Sequence, residues 1–100
     1  MGSVRKTWLT AQLRLNLIKW QMSRTEVRRI LCDGGWWSPT CVARLLLRSM
    51  PGAFSDRGAR LMSRTHLFEM ARAGAAVMHE PGGTYEPLFR TAHNLRSVFG

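Results

Sequence analysis

Apolar and polar positions along this chain fall into helix-spaced stripes separated by short breaks. In the stretch from Ser23 to Met50, Val27, Ile30 and Leu31 recur at helical spacing. Ser23-Arg24-Thr25-Glu26 has the spacing of a capping box, so a helix start is expected at Ser23. Gly34 is a left-handed stop. Ser38-Pro39 announces a second helix, with an N-cap followed by proline at the first helical position. Its stripe is Val42, Leu45 and Leu46, and Pro51 ends it. These two elements are expected over 24–33 and 39–50, with Trp36 and Trp37 in the corner between them.

Either side of this pair the pattern is less uniform. Over residues 4–22, Leu9, Leu13, Leu17 and Trp20 fit one helical face, although Leu13, Leu15 and Leu17 also alternate as in a strand. Length, good helix formers and the lack of turn residues favour helix. Ser55-Asp56 can open a further turn holding Arg57 and Arg60. Leu67, Met70, Ala71, Gly74, Val77 and Met78 form a stripe that predicts a helix over 64–79, with Gly74 either packed closely or marking an early stop. Glu80 to Gly83 is a break. Glu86-Pro87 opens a predicted last helix carrying Leu88, Ala92, Leu95 and Phe99. The expectation is a single all-α domain over residues 1–100: four to five short amphipathic helices, loosely packed, with irregular linkers. Gln21 to Thr25 is echoed by Leu61 to Thr65, which reads as one N-cap solution used twice.

Charge alters this picture more than length does. The 100 residues carry a net charge of +9, and thirteen of the fifteen basic residues are arginine. Arginine suits phosphate and carboxylate recognition, and such a field favours an anionic partner: RNA, DNA, lipid headgroups or an acidic protein surface. Arg5, Lys6, Arg14, Lys19, Arg24, Arg28, Arg44 and Arg48 are the expected contacts. Trp8, Trp20, Trp36 and Trp37 are expected at a partner interface, because so small a chain cannot bury four indoles. The first 25 residues contain no acid, the composition of an uncleaved organellar targeting segment over 1–22. No apolar run is long enough for a transmembrane helix.

Candidate chemistry is sparse. His66 and Glu69 have ligand-like spacing but no third ligand, and neither glycine doublet is a phosphate-binding motif. No enzyme, cofactor or metal site is expected. Cys32 and Cys41 read as buried inert thiols, with a disulfide across the corner as the alternative. The functional expectation is a structural accessory subunit of a large mitochondrial assembly, in the matrix or on the inner membrane. A respiratory-chain complex is slightly favoured over the mitochondrial ribosome. Its partners would be other subunits, with anionic lipid or rRNA. The alternative is a helix-turn-helix transcriptional regulator whose residues 39–50 enter the major groove of DNA, with Arg44 and Arg48 making contacts.

Overall fold

The computed structural model describes residues 2–83 and 85–92, with side chains from Thr7 onward. Three helices are followed by a two-stranded antiparallel sheet: α1 Gly2–Leu31, α2 Pro39–Ser49, α3 Asp56–Arg72, β1 Ala76–His79 and β2 Leu88–Thr91. The all-α expectation of four to five short helices is therefore corrected to a mixed fold.

The largest difference is in α1, a single helix of 30 residues. Nothing between Gly2 and Gly34 breaks it. A capping box helps only where the preceding chain has already left the helical conformation. Ser23 instead sits in the helix interior, with its hydroxyl donating to the Trp20 carbonyl at 2.9 Å. Glu26 does not reach back; it receives Arg29 and the Ser49 hydroxyl, the latter at 2.8 Å. The echo at Ser63 is likewise interior to α3. Gly34 does stop α1, at φ +83°.

α2 starts as its sequence reads. Ser38 is extended, its Oγ accepts the Cys41 N–H at 3.2 Å, and Pro39 occupies the first turn. α3 begins the same way one element later: the Ser55 Oγ accepts the Gly58 N–H at 3.0 Å, and Asp56 lies at the positive end of the helix dipole. It therefore starts eight residues before the predicted Arg64.

After Arg72 the chain leaves the helix through Gly74 at φ +77°. The rest of the predicted helix, Ala76–His79, is strand. It pairs with β2 in the register Val77 to Arg90 and Met78 to Phe89. The predicted last helix is also corrected. Gly82 and Gly83, both at positive φ, lie in the hairpin's return, and Leu88–Thr91 carries the aromatic and β-branched residues that suit a strand. Residues 93–99 of that helix lie outside the described residues. Trp37 adds a third rung: its N–H and C=O exchange two 2.8 Å bonds with Phe89. β2 is thus central, between β1 and the Trp37 bridge.

The core lies where α1 ends. Val27, Ile30 and Leu31 of α1 meet Val42 of α2, Leu67 and Met70 of α3, and Phe89 of β2. The Thr91 hydroxyl caps α1 by donating to the Leu31 carbonyl at 2.6 Å. Phe68 stands edge-on to Phe89, with ring centroids 5.3 Å apart. Among the described side chains of α1 the first fully buried one is Ser23; Trp8, Leu9, Leu13, Leu15, Leu17, Ile18 and Met22 are exposed.

Candidate nucleic-acid interface

α2 and α3 pack against each other more extensively than any other pair of elements. They are joined by the short connection from Met50 to Ser55, where Gly52 takes φ +78°. α3 buries Ala59, Ser63, His66, Leu67 and Met70 on one side. The spacing of those residues forces the intervening ones outward. Arg57, Arg60, Leu61 and Arg64 are accordingly exposed, in a row at i, i+3, i+4 and i+7 along the first half of the helix. The Arg64 guanidinium lies 5.5 Å from the Phe68 ring centroid, which holds that side chain along the helix. None of the three arginines is paired with a carboxylate among the described residues; the ion pair seen there joins Glu26 and Arg29.

The hairpin follows the C-terminal end of α3, with Phe89 turned toward Phe68 of α3 and Arg90 on the opposite face of the sheet. His79 and Tyr85 are exposed on the hairpin, and Arg90 lies 5.3 Å from the centroid of the Trp36 ring. Trp36 also meets His79 edge-on at 5.9 Å. An arginine and an indole held together in this way offer both a charge and a flat face.

The residues expected at an anionic interface are dispersed. The side chains of Arg5 and Lys6 lie outside the described residues. Arg14, Arg24 and Arg28 are exposed along α1, while Lys19 is half-buried; Arg24 lies over Trp20 at 5.5 Å. Arg44 and Arg48 line an open groove of about 420 Å³ on α2 with Trp37, Cys41, Leu45 and Leu47. Of the tryptophans, Trp8 and Trp36 are exposed. Trp37 packs on the core and donates its indole N–H to Asp33 at 2.9 Å. That bond, with the Gly35 N–H, holds the Asp33 carboxyl below its usual range. Trp20 packs on His66. Cys32 and Cys41 are free and exposed, which corrects their reading as buried thiols.

Two features escaped the sequence. The arginine row of α3 was hidden by the late helix start, although the Ser55-Asp56 cap was the available signal. The other is a buried polar cluster between α1 and α3. The Ser23 Oγ has given its proton to the Trp20 carbonyl, so it accepts from His66 Nε2 at 2.8 Å. This fixes the imidazole tautomer and leaves Nδ1 bare, buried and without a partner, as is the Ser63 hydroxyl. Burial lowers the His66 pKa; Glu69 opposes that shift, and Arg24 and Arg28 reinforce it. With its proton committed and its oxygen fully buried, Ser23 is a packing group and not a nucleophile. Among the described residues no helix is long and apolar enough to cross a membrane. No protein-family model, no curated protein and no solved structure matches the chain.

Proposed function

We propose that this protein binds duplex DNA through a helix-turn-helix carrying a β-hairpin wing. α2 is the positioning helix, α3 the helix presented to the major groove, and the β1–β2 hairpin the wing beside it. The observation that carries this reading is the exposed row Arg57, Arg60 and Arg64 on the first half of α3, where recognition helices present their base-contacting residues. The net charge of +9 supplies the phosphate attraction. The helix-turn-helix reading made from the sequence is thereby moved one element along the chain. Residues 39–50 become the first helix of the unit, and Arg44 and Arg48 become phosphate contacts or lie off the interface.

The test is binding of the purified full chain to a pool of duplex DNA, followed by fluorescence anisotropy at several salt concentrations. Affinity is expected to fall linearly on a log–log plot against salt. Arg60→Ala with Arg64→Ala is expected to cost about 1–3 kcal/mol per arginine that touches a base edge, with circular dichroism unchanged. Absence of binding at low salt, or binding indifferent to both substitutions, would refute the proposal.

A second reading draws on the other end of the molecule. The acid-free, basic first 25 residues and the exposed apolar residues of α1 favour a structural subunit wedged into a large mitochondrial assembly. The host would be a respiratory complex or the ribosome of that organelle. Under that reading the native protein co-sediments with a megadalton particle. Haem or flavin in that particle identifies the respiratory host and rRNA the ribosomal one.

A further inference from the structure

We propose that the projecting part of α1 pairs with α1 of a second copy of this chain as a short antiparallel coiled coil. The inference does not depend on DNA binding. Trp8, Ala11, Leu15, Ile18, Met22 and Thr25 follow one another at alternating steps of three and four residues, the spacing of a coiled-coil seam. All six are exposed, Trp8 at 63%, Leu15 at 45%, Ile18 at 51% and Met22 at 55%. At about 100° per residue, this row lies about 140° round the helix from Ser23, Val27, Ile30 and Leu31, the side that enters the core. A second helix can therefore lie along the row from Trp8 to Met22, on a side of α1 turned away from its core-facing residues; beyond Thr25 it nears α2, whose Ser49 hydroxyl bonds Glu26 at 2.8 Å. A helix left projecting alone in water is marginal at best.

The register argues for a second copy and for its direction. Antiparallel pairing sets Leu15 of one copy against Ile18 of the other, small Ala11 against large Met22, and Trp8 against Thr25, whose hydroxyl is already spent on the Gln21 carbonyl at 3.1 Å. These contacts repeat about a two-fold axis, as an isologous interface requires. Charge decides between the two directions. The seam is flanked by Gln12, Lys19 and Glu26 on one side and by Arg14, Gln21 and Arg28 on the other, with Arg14 and Lys19 the charges at its centre. Parallel pairing would put Arg14 of each copy beside Lys19 of the other, a like-charge contact. Antiparallel pairing puts Arg14 beside Gln21 and Lys19 beside Gln12, cation against amide. Where the DNA-binding reading also holds, such a dimer would present two α3 helices to the two halves of an inverted repeat.

The experiment is sedimentation of the full chain, without DNA, at high micromolar concentration. A species of twice the 11.4 kDa chain mass is expected. Leu15→Lys with Ile18→Lys is expected to give a monomer with an unchanged circular dichroism spectrum of the body. Gln21→Glu is the directional test. It places a carboxylate beside Arg14 in the antiparallel pair and beside Glu26 in a parallel one. With two symmetry-related contacts it should tighten the dimer about 2- to 10-fold. A native chain that is monomeric, a dimer that survives both lysines, or a Gln21→Glu dimer that is weaker than wild type would each overturn the proposal. The hydrodynamic result says nothing of DNA, so failure here and failure of the DNA-binding reading are separately visible.

Discussion

The two ends of α1 obey the same helical geometry and meet opposite fates. From Ser23 to Leu31 the helix is gripped by α2, α3 and β2, and it buries Val27 and Leu31 completely. From Thr7 to Met22 it leaves a comparably apolar surface in water. Propensity does not distinguish them, since both halves are built of good helix formers. The difference is spacing. In the docked third, apolar residues occupy one side and leave Arg24, Arg28 and Arg29 on the other. In the projecting part, Leu9, Leu13 and Leu17 occupy one side while Trp8, Leu15, Ile18 and Met22 occupy another, with Arg14, Lys19 and Gln21 between. A helix greasy on two sides is built to sit between surfaces, and this chain's own core supplies only one of them.

The sharpest way to break that contrast is to remove the same atoms at each end. Leu31→Ala is expected to cost about 2–5 kcal/mol, because Leu31 is fully buried among α2, α3 and Phe89 and its loss leaves a cavity. Leu13→Ala, at 68% exposure, is expected to cost about 0.5 kcal/mol or less in the monomer. Urea melts of dilute protein measure both. Equal losses would mean that the projecting segment is packed by something the fold does not supply.

A smaller effect concerns the grip itself. His66 ties α3 to α1 through Ser23, and its pKa is lowered by burial, so the unfolded state binds the proton more readily than the folded one. The stability this contributes is complete above the imidazole's ordinary value near 6.5 and is lost as pH falls from there through the folded-state value. The urea midpoint should therefore drop as pH falls below about 6.5, before Glu26 and Asp33, whose carboxyls are held below their ordinary range, begin to titrate. His66→Gln should flatten that drop. A wild-type midpoint that is level over that pH range would sever His66 from the docked end.

How much of this was legible follows from where each signal is local. The Ser38-Pro39 cap and the Gly34 stop are decided within four residues, and both stand in the structure. The Ser23 cap failed because S-x-x-E is ambiguous without a preceding break, and α1 runs through it. The hairpin failed for a non-local reason. Val77 and Met78 fit one predicted helical stripe and Leu88 the next by coincidence, and they become strands because β2 can bond β1 along one edge and Trp37, through Phe89, along the other. No window of sequence contains Trp37 and Phe89 together. The arginine row of α3 was visible as composition but not as a surface, since its face depends on a helix that starts at Asp56. Arg44 and Arg48 were legible as exposed and basic, yet they line α2's outer groove.

The finest distinction lies between the two echoed serines. Ser23 and Ser63 are both fully buried, and both occupy a Met-Ser-Arg-Thr stretch whose threonine donates to the carbonyl four residues back, at 3.1 Å for Thr25 and 2.8 Å for Thr65. Ser23 has two partners and Ser63 has none. Removing the Ser23 hydroxyl strands the His66 Nε2 proton in the core, so Ser23→Ala is expected to cost about 1–3 kcal/mol. Removing the Ser63 hydroxyl takes away a buried group that was already unsatisfied. Ser63→Ala is therefore expected to be neutral or stabilising, by up to about 1 kcal/mol, with the pH dependence of His66 intact. Melting both variants side by side decides it. A Ser63→Ala protein as damaged as Ser23→Ala would mean that the second hydroxyl has a partner, most simply the bare Nδ1 of His66 one helical turn away.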